Sequence, residues 1–271
     1  MRRIGPGWQL AKLSLRVVRS DGSLSVLVVL GGIASGAVAL AFLAPAAVAY
    51  SIEETWLAGI IAVVGVYLAT VVATYFAVAL AASAAEVLDG RDATVRGGIA
   101  VAGRNVGAIL GWALVLTTVN LVLQALRERA SLLGTLLLGA AAVAWGLATL
   151  LVVPLLALEG LGPLAALSRS TSLFRQKWGE QLVGTASIGL IFTLLGTVPA
   201  ALLGFLGIAS GSTVLAIVLI GLAVLIAVAA GVLGSAARAV FAVALYRHAA
   251  GTGATGPFSA HDLDRAVLRK G

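Results

Sequence analysis

Apolar and polar positions in this chain do not alternate; they come in blocks. Six long apolar runs occupy residues 24–50, 57–82, 106–126, 132–158, 183–208 and 213–235, with short polar segments between them. A helix needs about 20 mainly apolar residues to cross a bilayer, and each run reaches that length. The runs are apolar on every face, whereas barrel strands would alternate polar and apolar positions. Lipid offers no partner to a free backbone amide, so helices are the expected form. The pattern predicts an all-α fold, a polytopic transmembrane bundle of six spans.

Three polar segments carry a helical period of their own, at about 8–20, 93–105 and 163–178. In the first, Lys12, Arg16 and Arg19 share one face, and Leu10, Leu13 and Val17 the other. In the second, Arg96 and Arg104 oppose Val95, Ile99, Ala102 and Val106, and Asp92 suits the capping position. In the third, Pro163 suits the first helical position. Leu164, Leu167, Thr171, Phe174 and Trp178 then form a stripe facing away from Arg169, Gln176 and Lys177. Such helices lie in the membrane interface with the apolar side down. The expected organisation is one transmembrane domain over 1–250 and a short cytoplasmic tail over 251–271, with a helix capped by Ser259. Each amphipathic segment precedes a hairpin, and Leu10–Ser14 echoes Leu164–Ser168. Two readings stay open: three copies of one unit, or the ordinary look of an even-numbered bundle.

Charge orients the bundle. Segment 1–23 holds Arg2, Arg3, Lys12, Arg16 and Arg19; segment 83–106 holds Arg91, Arg96 and Arg104; segment 159–182 holds Arg169, Arg175 and Lys177. The C-terminal stretch adds Arg238, Arg247, Arg265, Arg269 and Lys270, so one side collects 16 of the 18 basic residues. Arg127 and Arg129 stand opposite, with Glu53, Glu54 and Glu128. Basic loops stay inside, which predicts a multi-pass cell-membrane protein with both termini cytoplasmic. The net charge of +7 arises in these loops. Membrane lipids, with anionic headgroups at the cytoplasmic face, are the expected partners, worth about 1 kcal/mol per basic residue. A second copy or another membrane protein is the other partner class. Nucleic acid is excluded, because no soluble basic face with reading elements exists. With 61% hydrophobic and 11% charged residues, the chain has too little polar surface to cover a soluble domain of its length. Ala47-Val48-Ala49 resembles a signal-peptide cleavage site, but the apolar run before it is longer than the usual 7–15 residues or so. A retained first helix is expected.

Candidate chemistry is sparse. Cysteine is absent, which removes disulfides, thiolate metal sites and a cysteine nucleophile. His248 and His261 stand alone, with no spaced carboxylates to complete a metal site. Gly160-Leu161-Gly162-Pro163 mimics part of a dinucleotide fingerprint, but no strand precedes it; it reads as a turn between helices. No cofactor is expected. Thr117, Asn120 and Gln124 make a polar stripe within the third span. It is read as interhelical hydrogen bonding, worth about 0.6–2 kcal/mol per contact, in preference to a solute pathway. Gly103, Gly107 and Gly111, like Gly32 and Gly36, have the spacing of close helix contacts. Counting about 20 residues from Thr213 places Arg238 at headgroup depth, where it can snorkel or pair with Glu159. Glu86, Asp89 and Asp92, alternating with Arg91, read as a solvated turn.

The segment Val153-Pro154-Leu155-Leu156-Ala157-Leu158-Glu159-Gly160-Leu161-Gly162-Pro163, running on to Ser168-Arg169-Ser170, Phe174 and Trp178-Gly179-Glu180, resembles a prokaryotic membrane family, family 6159 among the domains of unknown function. Leu88-Asp89-Gly90, Ala93-Thr94 and Ile109-Leu110-Gly111-Trp112 fit the same pattern. The resemblance spans 8–250 and implies a six-helix membrane protein without implying a reaction. The arrangement of helix, proline, acidic turn and amphipathic helix is also similar to the membrane domains of some glycerophosphodiester phosphodiesterases. Their catalytic domain is missing here, so their activity is not carried over. Positions singled out for a structural or functional role are Asn120, Gln124, Pro154, Glu159, Pro163, Trp178 and Arg238; no catalytic, cofactor or metal residue is assigned. The leading expectation is a non-enzymatic integral membrane protein with an accessory, scaffolding or lipid-interacting role. The alternative is a transporter or channel for a small or amphipathic solute, with a membrane enzyme third.

Overall fold

The structure is a computed structural model that describes residues 13–14, 16–18, 21–178, 199, 201–203, 205–209, 213–252 and 256–258. Its described elements are helices: α1 (Gly22–Ser51), α2 (Thr55–Leu88), α3 (Val95–Arg104), α4 (Val106–Glu128), α5 (Leu132–Thr149), α6 (Val152–Leu158), α7 (Pro163–Trp178) and α8 (Thr213–Ala250). Among the described residues, five helical stretches are long and apolar enough to cross a membrane: Gly22–Ser51, Thr55–Leu88, Val106–Glu128, Gly134–Leu158 and Ala230–Ala250. These suit a membrane-embedded, all-helical protein. The span expected at 183–208 lies mostly outside the described residues.

Asp21 starts α1 as its cap, accepting from the Ser23 amide at 2.8 Å. A tight turn with Glu53 at φ +69 reverses the chain into α2. The two helices pack closely along their lengths. A Cβ at Gly31 would lie 2.6 Å from the Phe76 Cβ, and a Cβ at Gly65 would strike Phe42. Glycine is what lets each aromatic ring sit against the opposing backbone. The sequence pointed to Gly32 and Gly36 for this task, yet nothing lies within 4 Å of a Cβ at either. The contact uses the neighbouring face.

α2 has 34 residues and α8 has 38, roughly 51 and 57 Å at 1.5 Å per residue. Both exceed the hydrocarbon core of about 30 Å. Their C-terminal ends hold most of the buried core. Val78–Ala85 on α2 and Val240–Arg247 on α8 are buried on every face, joined by Leu24, Leu27, Ile109, Trp112, Leu151, Leu155 and Phe174. The span expected to end at residue 235 therefore continues to Ala250. Length from Thr213 is no guide to its boundary, because the last turns pack on protein.

The amphipathic segments also dock on protein. Thr94, not Asp92, caps α3, accepting from the Gly97 amide at 3.0 Å. α3 runs back beside α2: Gly98 packs on Ala79 and Ser83, and the Tyr75 hydroxyl donates to the Ile99 carbonyl at 3.1 Å. After Asn105, α4 continues in the same sense, with the Tyr67 hydroxyl 3.4 Å from the Leu110 carbonyl. α7 buries Ala166, Ser170, Leu173 and Phe174, while Leu164 is 70% exposed. Its packed face is thus rotated from the stripe read in the sequence. The Ser170 hydroxyl donates to the Ala148 carbonyl of α5 at 2.6 Å. Of the segment 8–20, Leu13, Ser14 and Arg16–Val18 are described; they are helical, with Ser14, Val17 and Val18 buried and Arg16 exposed. The run 132–158 breaks at Leu150–Leu151 into α5 and α6. Pro154 falls in the first turn of α6, where its missing amide is not needed.

Candidate functional site

The polar groups that pack together lie at the end of the bundle where α2 and α8 finish. Gly90 at φ +72 ends α2 in the left-handed region, which only glycine enters without strain. That turn holds Asp89 against α8. Arg247 grips it with two bonds, Nη1 to Oδ1 at 2.6 Å and Nη2 to Oδ2 at 3.0 Å. Arg247 Nη2 also donates to the Ala85 carbonyl at 3.2 Å. Arg91 Nη2 reaches Asp89 Oδ2 at 3.0 Å from the solvent side. The hydrogen bonds from Arg247 hold the Asp89 carboxyl below its ordinary pKa of 3.8; they outweigh the upward push of burial, and the charges of Arg247 and Arg91 add to them. Arg247 is 9% exposed, so this is a largely desolvated, forked ion pair of the strong geometry.

Two further ties cross the same end. Burial pushes the Asp21 carboxyl up, but bonds from the Ser23 hydroxyl and amide and from the Ala93 amide prevail and lower it below 3.8. Asp21 thereby pins the start of α1 to the loop before α3, with the Ala93 amide at 2.9 Å. The Tyr246 hydroxyl donates to Glu159 Oε1 at 2.7 Å, joining α8 to the end of α6. Phe258 is buried against Phe241, ring centroids 6.4 Å apart, so the chain after α8 folds back on the same end.

The sequence candidates divide. Glu159 belongs to this end, though its partner is Tyr246 and not Arg238. Arg238 is exposed and bonds Ser235 Oγ at 3.3 Å. Pro154 is buried, and Pro163 lies against Gly111, where a Cβ would come within 2.7 Å of its Cγ. Trp178 closes α7; its side chain lies outside the described residues. Asn120 and Gln124 are exposed, and Thr117 alone of that stripe is buried, with no partner for its hydroxyl. The interhelical bonds expected of Asn120 and Gln124 are not among those of the described residues. Among the described residues no three His, Cys, Asp or Glu side chains gather as a metal ion would require.

Sequence reading passed over Arg247. Its signal was available: a lone arginine in Ala-Val-Ala-Leu-Tyr-Arg-His-Ala-Ala, at the end of a helix too apolar to be solvated there. Also unseen was a cleft of about 600 Å³ between α1 and α2, backed by Trp112, Leu116 and Val153.

A family model described as "Family of unknown function (DUF6159)" matches residues 57–257. The chain belongs to this family. The match takes in α2 through α8 and so contains Asp89, Glu159, Tyr246 and Arg247; α1 and Asp21 precede it. No curated protein and no solved structure matches.

Proposed function

We propose that this member of the family is a six-span protein of the prokaryotic cell membrane with both termini cytoplasmic. It acts without chemistry of its own, as an accessory or scaffolding protein held by anionic lipid. The carrying observation is the division of labour among charges. Asp21, Asp89 and Glu159 are engaged in capping, ion-pair and hydroxyl bonds. Arg16, Arg96, Arg104, Arg169 and Arg175 are exposed. Carboxylates used as structural ties are poor proton shuttles, because catalysis needs a group free to exchange a proton at working pH. Exposed arginines suit phosphate headgroups. In this reading α3 and α7 sit at the inner interface, with Leu164 meeting lipid.

Purified protein in lipid discs tests this. It should retain anionic over zwitterionic phospholipid, and Arg96→Glu with Arg104→Glu should weaken that preference. It should show no turnover of phospholipid or glycerophosphodiester substrates with or without divalent metal. Turnover abolished by Glu159→Gln or His248→Ala overturns the proposal. The cleft favours one second reading, a carrier of an amphipathic solute, which uptake into proteoliposomes would reveal.

A further inference from the structure

The cleft between α1 and α2 has a shape and a chemistry that suit one ligand. Its α1 wall runs from Gly32 to Leu43 and its α2 wall from Val66 to Ala77. Each wall is roughly 17 Å long at 1.5 Å per residue, and the walls lie at matching depth, since Gly31 meets Phe76 and Gly65 meets Phe42. Half of a hydrocarbon core of about 30 Å is close to that length. The cleft therefore follows the helix axes over the depth of one leaflet. It is built by small residues, with nothing within 4 Å of a Cβ at Gly32 or Gly36.

The hydroxyls supply an independent indication. Ser35 donates to the Gly31 carbonyl at 2.6 Å and Thr70 to the Val66 carbonyl at 2.7 Å. Both are satisfied within their own helices and face the cleft as apolar groups. Thr74 is different. It lines the cleft, is 5% exposed, and makes none of the hydrogen bonds of the described structure, its own helix included. With a bilayer around the cleft, a hydroxyl on its wall that lacks an acceptor finds no water to replace one, which costs stability. Thr74 sits near the cleft's end toward the packed core, which is where a lipid with its head at that side would place an ester carbonyl.

We propose that the cleft binds one acyl chain of a diacyl glycerolipid from the leaflet at the packed end, with the Thr74 hydroxyl donating to the ester carbonyl. The proposal rests on the reading that these helices stand in a bilayer. It deepens the lipid-interacting role by naming the site and the part of the lipid that enters it.

The test uses the full chain in lipid discs doped with a phospholipid carrying a photoactivatable diazirine in one acyl chain. Labelled peptides are then mapped. Label should concentrate on cleft positions such as Ala39, Ala69 and Ala73 above the outward faces of the same helices. Gly36→Leu projects into open space, so the fold tolerates it, and it should cut cleft labelling roughly tenfold by displacing buried methylenes. Thr74→Val removes the donor alone and should cut it roughly fivefold. Gly59→Leu, equally unhindered but outside the cleft, should change nothing. Label spread evenly over Leu40, Val64 and the cleft, or indifferent to Gly36→Leu, overturns the proposal. So does protein in the cleft: a cross-link between two chains through it, or a disulfide joining Ala69→Cys to a cysteine placed in 183–208. Absence of label from every helix would instead defeat the bilayer reading itself.

Discussion

α2 presents two halves of similar apolarity and opposite fate. Near its start, Trp56, Leu57, Ile60, Val63 and Val64 are exposed, and so are Tyr50 and Ile52 across the turn and Leu136, Phe205 and Val214 on other elements. Near its end, Val78-Ala79-Leu80-Ala81-Ala82-Ser83-Ala84-Ala85 is buried all round. Mean apolarity does not separate the halves; side-chain size does. Lipid tails are as apolar as leucine, so helices in a bilayer gain little by burying large side chains against each other. Large residues can face lipid at no cost. Alanine and serine let helices approach from several sides at once, and once they do, polar ties such as Asp89–Arg247 become worth making. The packed end is held by close approach and directed bonds, the open end by its solvent.

The sharpest way to break this contrast is Asp89→Asn. It removes the charge that the buried Arg247 guanidinium grips through two bonds. Removing one partner of a buried pair costs about 3–5 kcal/mol; with Asp89 28% exposed, the low end of that range is expected, read as a fall in melting temperature in detergent. Adding Arg247→Met should recover part of the loss. Arg91→Ala, at the exposed side of the same carboxylate, should cost less than about 1 kcal/mol.

Gly98→Ala should come next. Its Cβ would stand 2.6 Å from both the Ala79 carbonyl oxygen and Ser83 Oγ, so α3 must move off α2, at about 1–3 kcal/mol. Gly59→Ala at the open end meets nothing, and should stabilise by about 0.5–1 kcal/mol through helix propensity. Equal effects at the two glycines would erase the distinction between the ends.

A smaller effect concerns pH. Asp21 and Asp89 both have folded pKa values below the ordinary 3.8. Their ionised forms therefore favour the folded state above that value, and the contribution disappears as pH falls from 3.8 through the folded values. Thermal unfolding should show this acid limb. Asp89→Asn should flatten it, while Trp56→Ala at the open end should leave it unchanged.

Much of this architecture was legible in the sequence because apolar block length is set by bilayer thickness. The starts of α4 and α7 and the bounds of α1 were readable to within a few residues. The end of α8 was not, because its last turns are apolar for contact with protein, and length alone cannot tell that from contact with lipid. The amphipathic faces were read for a flat membrane surface. In α7 the packed face instead follows the small residues Ala166 and Ser170, which leaves Leu164 outside. Asp89 looked solvated because its near neighbour in sequence, Arg91, is a weak surface partner, whereas its buried partner lies 158 residues away. Glu159 was read as a possible partner of Arg238; the Tyr246 hydroxyl that donates to it had not been weighed.

The central claim, that one end of α2 is sheathed by protein and the other by lipid, has a direct measurement. Single cysteines can be placed from Trp56 to Leu88 in a chain that has none of its own. Each is spin-labelled in lipid discs and scored for collisions with oxygen and with a water-soluble nickel complex. Outward positions in the first half should collide strongly with oxygen and weakly with nickel, while positions 78–85 should be shielded from both. Oxygen collisions at 78–85 as frequent as those at Ile60 and Val64 would contradict the account.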